Sequence, residues 1–269
     1  MLAAATALLL IRPAWAGPPA TSPATPVEGV IVEARPADAS VPARVQAFVA
    51  GVEAPNHGDS LLRWRYPVCP LVAGLPRETA EFVLARLSQV AAASGAAIGP
   101  RDCYPNFYVV VTDDPQALLR TWRRRDIYLF GDRAIAGRAE RFIRTDRAVR
   151  VWHNWEFRPG SGDGSRLSAF SVRAGWGAVV IVDSRKVAGI SNGQLADYIA
   201  MTGLAEVNPD APTGTAPTIL HLFDIPPAEA PIGLSDWDRA YLGALYHSQQ
   251  ESALQRDQIA ARMVKDLTR

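Results

Sequence analysis

Lysine and cysteine are scarce in this chain of 269 residues, and neither sign of charge dominates. The 28 basic residues nearly balance the 27 acidic ones, and Lys186 and Lys265 are the only lysines. A formal net charge of +1 gives no indication of nucleic acid as a partner. Beyond the first segment no apolar run is long enough to span a bilayer, so the sequence does not predict an integral membrane protein.

The two cysteines, Cys69 and Cys103, are too few for a disulfide-rich framework. Neither has a metal-ligand partner at close spacing, which argues against a zinc knuckle. In an exported protein a lone pair of cysteines most simply forms one disulfide, so we predict the bond Cys69–Cys103. Two free, buried thiols are the alternative.

The N-terminal segment has the pattern of a secretory signal. Leu2 to Ile11 is an apolar run too short for a transmembrane helix, and Ala14-Trp15-Ala16 fits a small-x-small cleavage site. We predict a signal peptide at residues 1–16, although no Lys or Arg precedes the apolar run. Residues 17–27 are rich in Pro, Ser and Thr, which predicts a flexible leader. The expected location is periplasmic or secreted; a buried N-terminal helix is the alternative.

The remaining chain is long enough for one domain with a sizeable core. We predict a single α+β domain at residues 28–247, with one twisted mixed β-sheet packed against helices, and a C-terminal helix within residues 248–269. Apolar and β-branched runs predict strands, and apolar residues at helical spacing predict helices. The clearest strands are 107–111, 149–157 and 178–182, and the clearest helices are 76–95, 192–204 and 235–246. Residues 41–52 are compatible with either a helix or a strand.

Three segments of the C-terminal third follow one another in a distinctive order. The first, ADYIAMTGL at residues 196–204, is predicted to lie on a helix that follows a buried strand. The second, PTILHLF at residues 217–223, comes after a loop rich in Pro and Gly. The third, LSDWDRAYLGALY at residues 234–246, has Ser235 as an N-cap and Asp238 three residues later, a pattern typical of a helix start.

This order resembles the metzincin metallopeptidases, the matrixins and astacins among them, over about residues 178–246. Their active-site helix carries H-E-x-x-H-x-x-G-L, followed by a further zinc ligand, a methionine turn and a helix that begins Leu-Ser-x-x-Asp. The resemblance implies a metzincin-like fold. It also assigns each site position to a residue of this chain: Ala196, Asp197, Ala200, Gly203, Glu206 and Leu220.

Those residues keep the structural parts of the pattern and lose the chemical parts. Ala196 and Ala200 replace the two histidines, and an alanine side chain has no lone pair to give to zinc. Asp197 replaces the catalytic glutamate, and Glu206 alone does not hold a zinc ion. We expect Gly203 to end its helix in the left-handed conformation. We expect Leu220 to keep an apolar floor beneath the site.

The sequence therefore predicts no catalytic, metal-binding or cofactor-binding residue and no cofactor. The function we expect is that of an exported, non-catalytic scaffold that binds a peptide or another envelope component. In metzincins the strand beside the cleft pairs with extended substrate, so residues 149–157 are a candidate edge for peptide binding. The alternative is a hydrolase of unrecognised chemistry that uses Asp197, Glu206 and His221 without a metal.

Overall fold

Five strands and seven α-helices make up the part of the chain that the structure, a computed structural model, describes. The described residues are 40–53, 60–125, 136–159, 171–208, 210–226, 228–249 and 254–269, so the predicted signal peptide and leader lie outside them. The strands are β1 (Arg63–Trp64), β2 (Pro70–Ala73), β3 (Phe107–Thr112), β4 (Val149–Pro159) and β5 (Ser171–Asp183). The helices are α1 (Val41–Val52), α2 (Arg77–Ser94), α3 (Pro115–Arg125), α4 (Ala136–Arg144), α5 (Asn192–Leu204), α6 (Asp236–His247) and α7 (Gln255–Leu267).

The sheet is organised around the long strand β5. One edge of β5 pairs in parallel with β1 and then with β3, and β2 pairs in parallel with β3. The other edge pairs with β4, the only antiparallel partner among the described strands. Because parallel pairings dominate, the arrangement is α/β; the predicted α+β label is corrected, while a single domain with a mixed sheet packed against helices is confirmed.

Both faces of the sheet are buried, which explains the continuous apolar sequence of β5. Val180 and Val182 face the larger core cluster, which also contains residues of α1, α2, α5, α6 and α7. Val179 and Ile181 alternate to the opposite face and pack against residues of α3 and α4. Helices therefore cover the sheet on two sides.

Local sequence signals set the ends of the main helices. Pro76 precedes α2, and Gly95 ends that helix with φ +92, where its N–H bonds back to the Ala91 carbonyl. Helices α5 and α6 each begin with a capping box, formed by Ser191 with Gln194 and by Ser235 with Asp238. The predicted bounds of α2, α5 and α6 agree with these ends to within a residue or two.

The predicted disulfide is present. Cys69 immediately precedes β2 and Cys103 lies in the segment between α2 and β3; their Cα atoms are 6.0 Å apart across the bond. The alternative of two free thiols is wrong. The bond joins the two ends of the β2–α2 unit.

The C-terminal helix belongs to the core. Helix α7 starts at Gln255, later than the predicted boundary at residue 248, and it packs against α6 and α1. Ile259 and Met263 are fully buried in the larger cluster, and residues 39–269 form one compact unit. Among the described residues, no helix combines the length and apolar character needed to cross a membrane.

Candidate functional site

Ala196 and Ala200, which the sequence resemblance aligns with two zinc ligands, lie on a buried face of α5. Ala196 and Ala200 have no exposed surface, and Gly203 continues the same face one turn later. A Cβ atom placed on Gly203 would lie 2.2 Å from Cζ of Phe107, on β3. The side of the helix on which a metal would have to be held is therefore buried, with Gly203 against the sheet, and its alanines offer no ligand atom.

Gly203 does not have the left-handed conformation that the sequence predicted. Its φ is not positive, and α5 runs through it to Leu204, after which Ala205 is extended. The glycine is required instead by the close approach of the helix to the Phe107 ring. Its carbonyl accepts a hydrogen bond from Trp64 Nε1 at 2.9 Å and contacts His153 Nε2 at 3.3 Å.

Asp197, which the sequence resemblance aligns with a catalytic glutamate, is engaged in structural contacts. Its two carboxylate oxygens accept from Arg86 Nε at 2.6 Å and from Arg86 Nη2 at 3.0 Å. Oδ2 also accepts from the Leu234 N–H at 2.8 Å. A Cβ on Gly233 would lie 2.6 Å from Oδ2, so the glycine lets the backbone reach the carboxylate. Asp197 thus joins α2, α5 and the segment before α6.

Glu206, which the sequence resemblance aligns with a third zinc ligand, lies between two arginines. Arg138 Nη2 is 3.6 Å from Glu206 Oε1, and Arg173 forms a close ion pair with Oε2. Each guanidinium lies over a tryptophan ring at 4.4 Å, Arg138 over Trp152 and Arg173 over Trp155. The carboxylate is therefore held as the counter-ion of two stacked cations.

His153 is buried beside this cluster. Its side chain is 5% exposed, and burial, opposed in part by the negative charge of Glu206, lowers the pKa of His153 to about 4. The imidazole is therefore neutral at physiological pH. A neutral ring next to Arg138 and Arg173 avoids a third positive charge in the interior.

Leu220 and His221 lie on a short 3-10 helix, Ile219–Phe223, whose start is hydrogen-bonded to the first turn of α6. Asp238 accepts from Thr218 Oγ1 at 2.5 Å and from the Ile219 N–H at 2.9 Å. Burial of Asp238 raises the pKa of its carboxyl, against the opposing effect of these hydrogen bonds. Leu220 is buried.

Leu220 is one of the residues that line a cavity of about 310 Å³. Tyr198 and Phe223 line it with their rings packed edge to face, 4.9 Å apart. Burial raises the pKa of Tyr198 to about 12, so its hydroxyl stays protonated near neutral pH. The charged residues that line the cavity include Asp146 and Lys186, which are paired with each other at 2.6 Å.

The structure does not bring together the three residues of the hydrolase alternative. Asp197 is held by Arg86, Glu206 by Arg138 and Arg173, and His221 Nε2 lies 2.7 Å from Thr213 Oγ1. No described hydrogen bond or ion pair joins any two of the three. Within the described ranges, no group of three or more His, Cys, Asp or Glu side chains is placed to hold a metal ion.

The partners of these carboxylates were not predicted from the sequence. Arg86 contacts Asp197 across 111 positions of the chain, and Arg173, near the start of β5, pairs with Glu206, which follows the end of α5. Arginine is the main basic residue everywhere in this chain, so its presence at these positions carries no local signal. Only the assembled fold identifies which arginines lie inside.

Comparison with protein-family models, with curated proteins and with solved structures found no match for this chain.

Proposed function

We propose that this chain is an exported, non-catalytic protein with a metzincin-like scaffold, which binds an extended peptide or another envelope component. The proposal rests on the order of the C-terminal segments and on the residues at the site positions. The disulfide supports export, because such bonds persist in oxidising compartments.

The packing of α5 is the observation that carries the non-catalytic part of the proposal. Ala196 and Ala200 supply no ligand atom and have no exposed surface on which a substrate could lie. Asp197 is committed to a bidentate contact with Arg86, so it is not free to act as a general base. Asp197, at the position that resembles the catalytic glutamate of metzincins, instead holds α2, α5 and the segment before α6 together.

Strand β4 supports the binding part of the proposal. It is 11 residues long, and among the described strands only β5 pairs with it. A long edge strand exposes a row of backbone donors and acceptors that an added strand satisfies. Phe157, with half of its surface exposed, provides an apolar contact for a peptide at this edge.

Zinc content and hydrolysis test the non-catalytic part. We expect the purified full chain, after incubation with zinc and dialysis, to retain far less than one zinc per chain. We also expect it to leave the unfolded substrate casein intact. One tightly bound zinc per chain that is lost on Glu206→Gln or His221→Ala would overturn this part.

Peptide binding at β4 is tested with a pool of extended apolar peptides and their backbone N-methylated counterparts. We expect the unmodified peptides to slow hydrogen exchange of β4 amides and the N-methylated ones to have no effect, because methylation removes the pairing donors. Phe157→Asp should weaken binding, whereas Phe82→Asp, at a phenylalanine of similar exposure on α2, should not. Equal binding of both peptide sets contradicts strand addition.

A further inference from the structure

A second cavity, of about 600 Å³, opens to solvent between the start of α1 and the start of α6. Its apolar walls come from Val41, Pro217, Pro231, Ile232, Trp237 and Leu267. Ile232, in the wall of this cleft, is 96% exposed. The cleft has a volume suited to a ligand of several residues or a small organic molecule.

Arg44 is a charged residue of this cleft that has no ion-pair partner among the described residues. Its guanidinium lies over the ring of Trp237, with Cζ 5.2 Å from the ring centroid. Nη2 makes one long contact, 3.4 Å, to the Thr215 carbonyl, and Nε is shielded from solvent without a hydrogen-bond partner among the described residues. No carboxylate of the described residues forms an ion pair with Arg44. A stacked guanidinium uses its face, which leaves its planar donors for an acceptor.

The remaining charges of the cleft are balanced against each other. Arg239 Nη2 lies 3.4 Å from Asp236 Oδ1, and both side chains are mostly exposed. Helix α1 adds positive potential, because no side chain caps its first turn. The cleft therefore combines apolar walls with one positive charge that has no internal counter-ion within the described part of the chain.

We propose that this cleft binds the free C-terminal carboxylate of a polypeptide that ends in apolar residues, with Arg44 as the counter-ion. The planar fork of arginine matches a carboxylate in a bidentate contact. The apolar walls accept the last side chains, and the open side lets the rest of the chain leave the cleft. This site is separate from the β4 edge and does not depend on peptide pairing there.

Calorimetry with the full chain tests the proposal using acetyl-alanyl-leucyl-leucine, its C-terminal amide and acetyl-leucine. We expect the free acid to bind at least about tenfold more tightly than the amide, because the amide loses a charge-assisted contact. We expect acetyl-leucine to bind more weakly than the peptide, since it fills less of the cleft. Equal affinity for acid and amide, or no binding of the acid, overturns the proposal. Acetyl-leucine as tight as the peptide overturns the assignment to a chain end.

Two pairs of variants locate the site. Arg44→Gln should abolish the preference for the acid, while Arg101→Gln, at an exposed arginine outside the cleft, should leave it unchanged. Ile232→Asp places a negative charge at the rim and should weaken acid binding, while Ile232→Asn should weaken it less. If Arg44→Gln lowers the melting temperature, the comparison of Ile232→Asp with Ile232→Asn tests the site instead, because the exposed Ile232 side chain has little role in folding. Phe157→Asp, which tests the β4 edge, should not affect this binding.

Discussion

Gly203 lies where the ring of Phe107 leaves no room for a side chain. We expect Gly203→Ala to lower the free energy of unfolding by about 3 kcal/mol, because the added methyl group forces the helix away from the sheet. Gly243→Ala, in α6, is the matched control: its Cβ meets nothing within 4 Å, so the change should be neutral or stabilise by up to about 1 kcal/mol. Urea denaturation measures both. A Gly203→Ala protein as stable as the parent would contradict the close packing of α5.

His153 makes stability depend on pH. Its pKa in the folded protein is about 4, below the value of about 6.5 in an unfolded chain. Between pH 6.5 and 4 the unfolded chain binds a proton at His153 that the folded protein does not bind. The free energy of unfolding therefore falls by up to about 3 kcal/mol as the pH is lowered through this range. His153→Gln keeps a donor near the Gly203 carbonyl and removes the titration. Its stability, measured by urea denaturation, should fall less steeply than that of the parent between pH 6.5 and 4; parallel curves would count against this role.

At the residue scale, side-chain chemistry was predictable and side-chain partners were not. The lack of a lone pair on Ala196 and Ala200 follows from residue identity alone. The bidentate contact of Arg86 with Asp197 depends on how two helices pack, which no local pattern specifies. The helical conformation of Gly203 contradicted its predicted role because packing against Phe107, and not a turn, selects glycine there.

At the scale of elements, Asp197 links α2, α5 and the segment that leads into α6. Asp197→Asn leaves the Arg86 guanidinium without its counter-ion, and we expect a loss of about 2 kcal/mol; partial exposure of Arg86 keeps the loss below that of a fully buried pair. Glu81→Gln breaks the exposed pair with Arg77 and should cost less than about 0.5 kcal/mol. Chemical denaturation compares the two. Equal losses would show that the buried carboxylate has no special role.

Helices with strong end signals were predicted well, whereas the short strand β2 and the arginine-rich helix α4 were not predicted. The bounds of α5 agree with the sequence because a serine cap and a continuous apolar run define them. Strand β2 has only four residues and begins at Pro70, which is too short for a clear alternation. Helix α4 is amphipathic, but three of its nine residues are arginines, and its low overall hydrophobicity made it hard to recognise in a basic stretch of the chain. Residues 41–52 proved helical because Val45, Phe48, Val49 and Val52 bury one face against the core.

At the scale of the whole molecule, the bond between Cys69 and Cys103 closes a segment of 34 residues. Removing it with Cys69→Ser and Cys103→Ser should cost about 3–4 kcal/mol, because the unfolded chain regains the freedom that the crosslink removes. For a domain of this size, that loss lowers the melting temperature by roughly 10 °C. Differential scanning calorimetry with and without reductant measures it. The double variant should show no further change in reductant, and an unchanged melting temperature would contradict the estimate.

The architecture was predictable to the level of one domain with a mixed sheet and covering helices. The buried strands β3 and β4 and the helices α2, α5 and α6 follow from apolar patterning, and the disulfide follows from the number of cysteines. The predominance of parallel pairings was not predictable, because the order of β1, β3 and β5 depends on contacts between distant segments. The cleft at Arg44 likewise forms only where α1 meets the start of α6.

The contact between Gly203 and Phe107 also limits which metal sites could be engineered on α5. A histidine introduced at position 196 or 200 brings an imidazole into volume that is already filled, so it costs stability before it gains a ligand. A metal centre engineered on this helix would require smaller neighbours around both positions and additional donor side chains, introduced together. Single histidine substitutions on α5 are therefore expected to lower stability without creating a metal site.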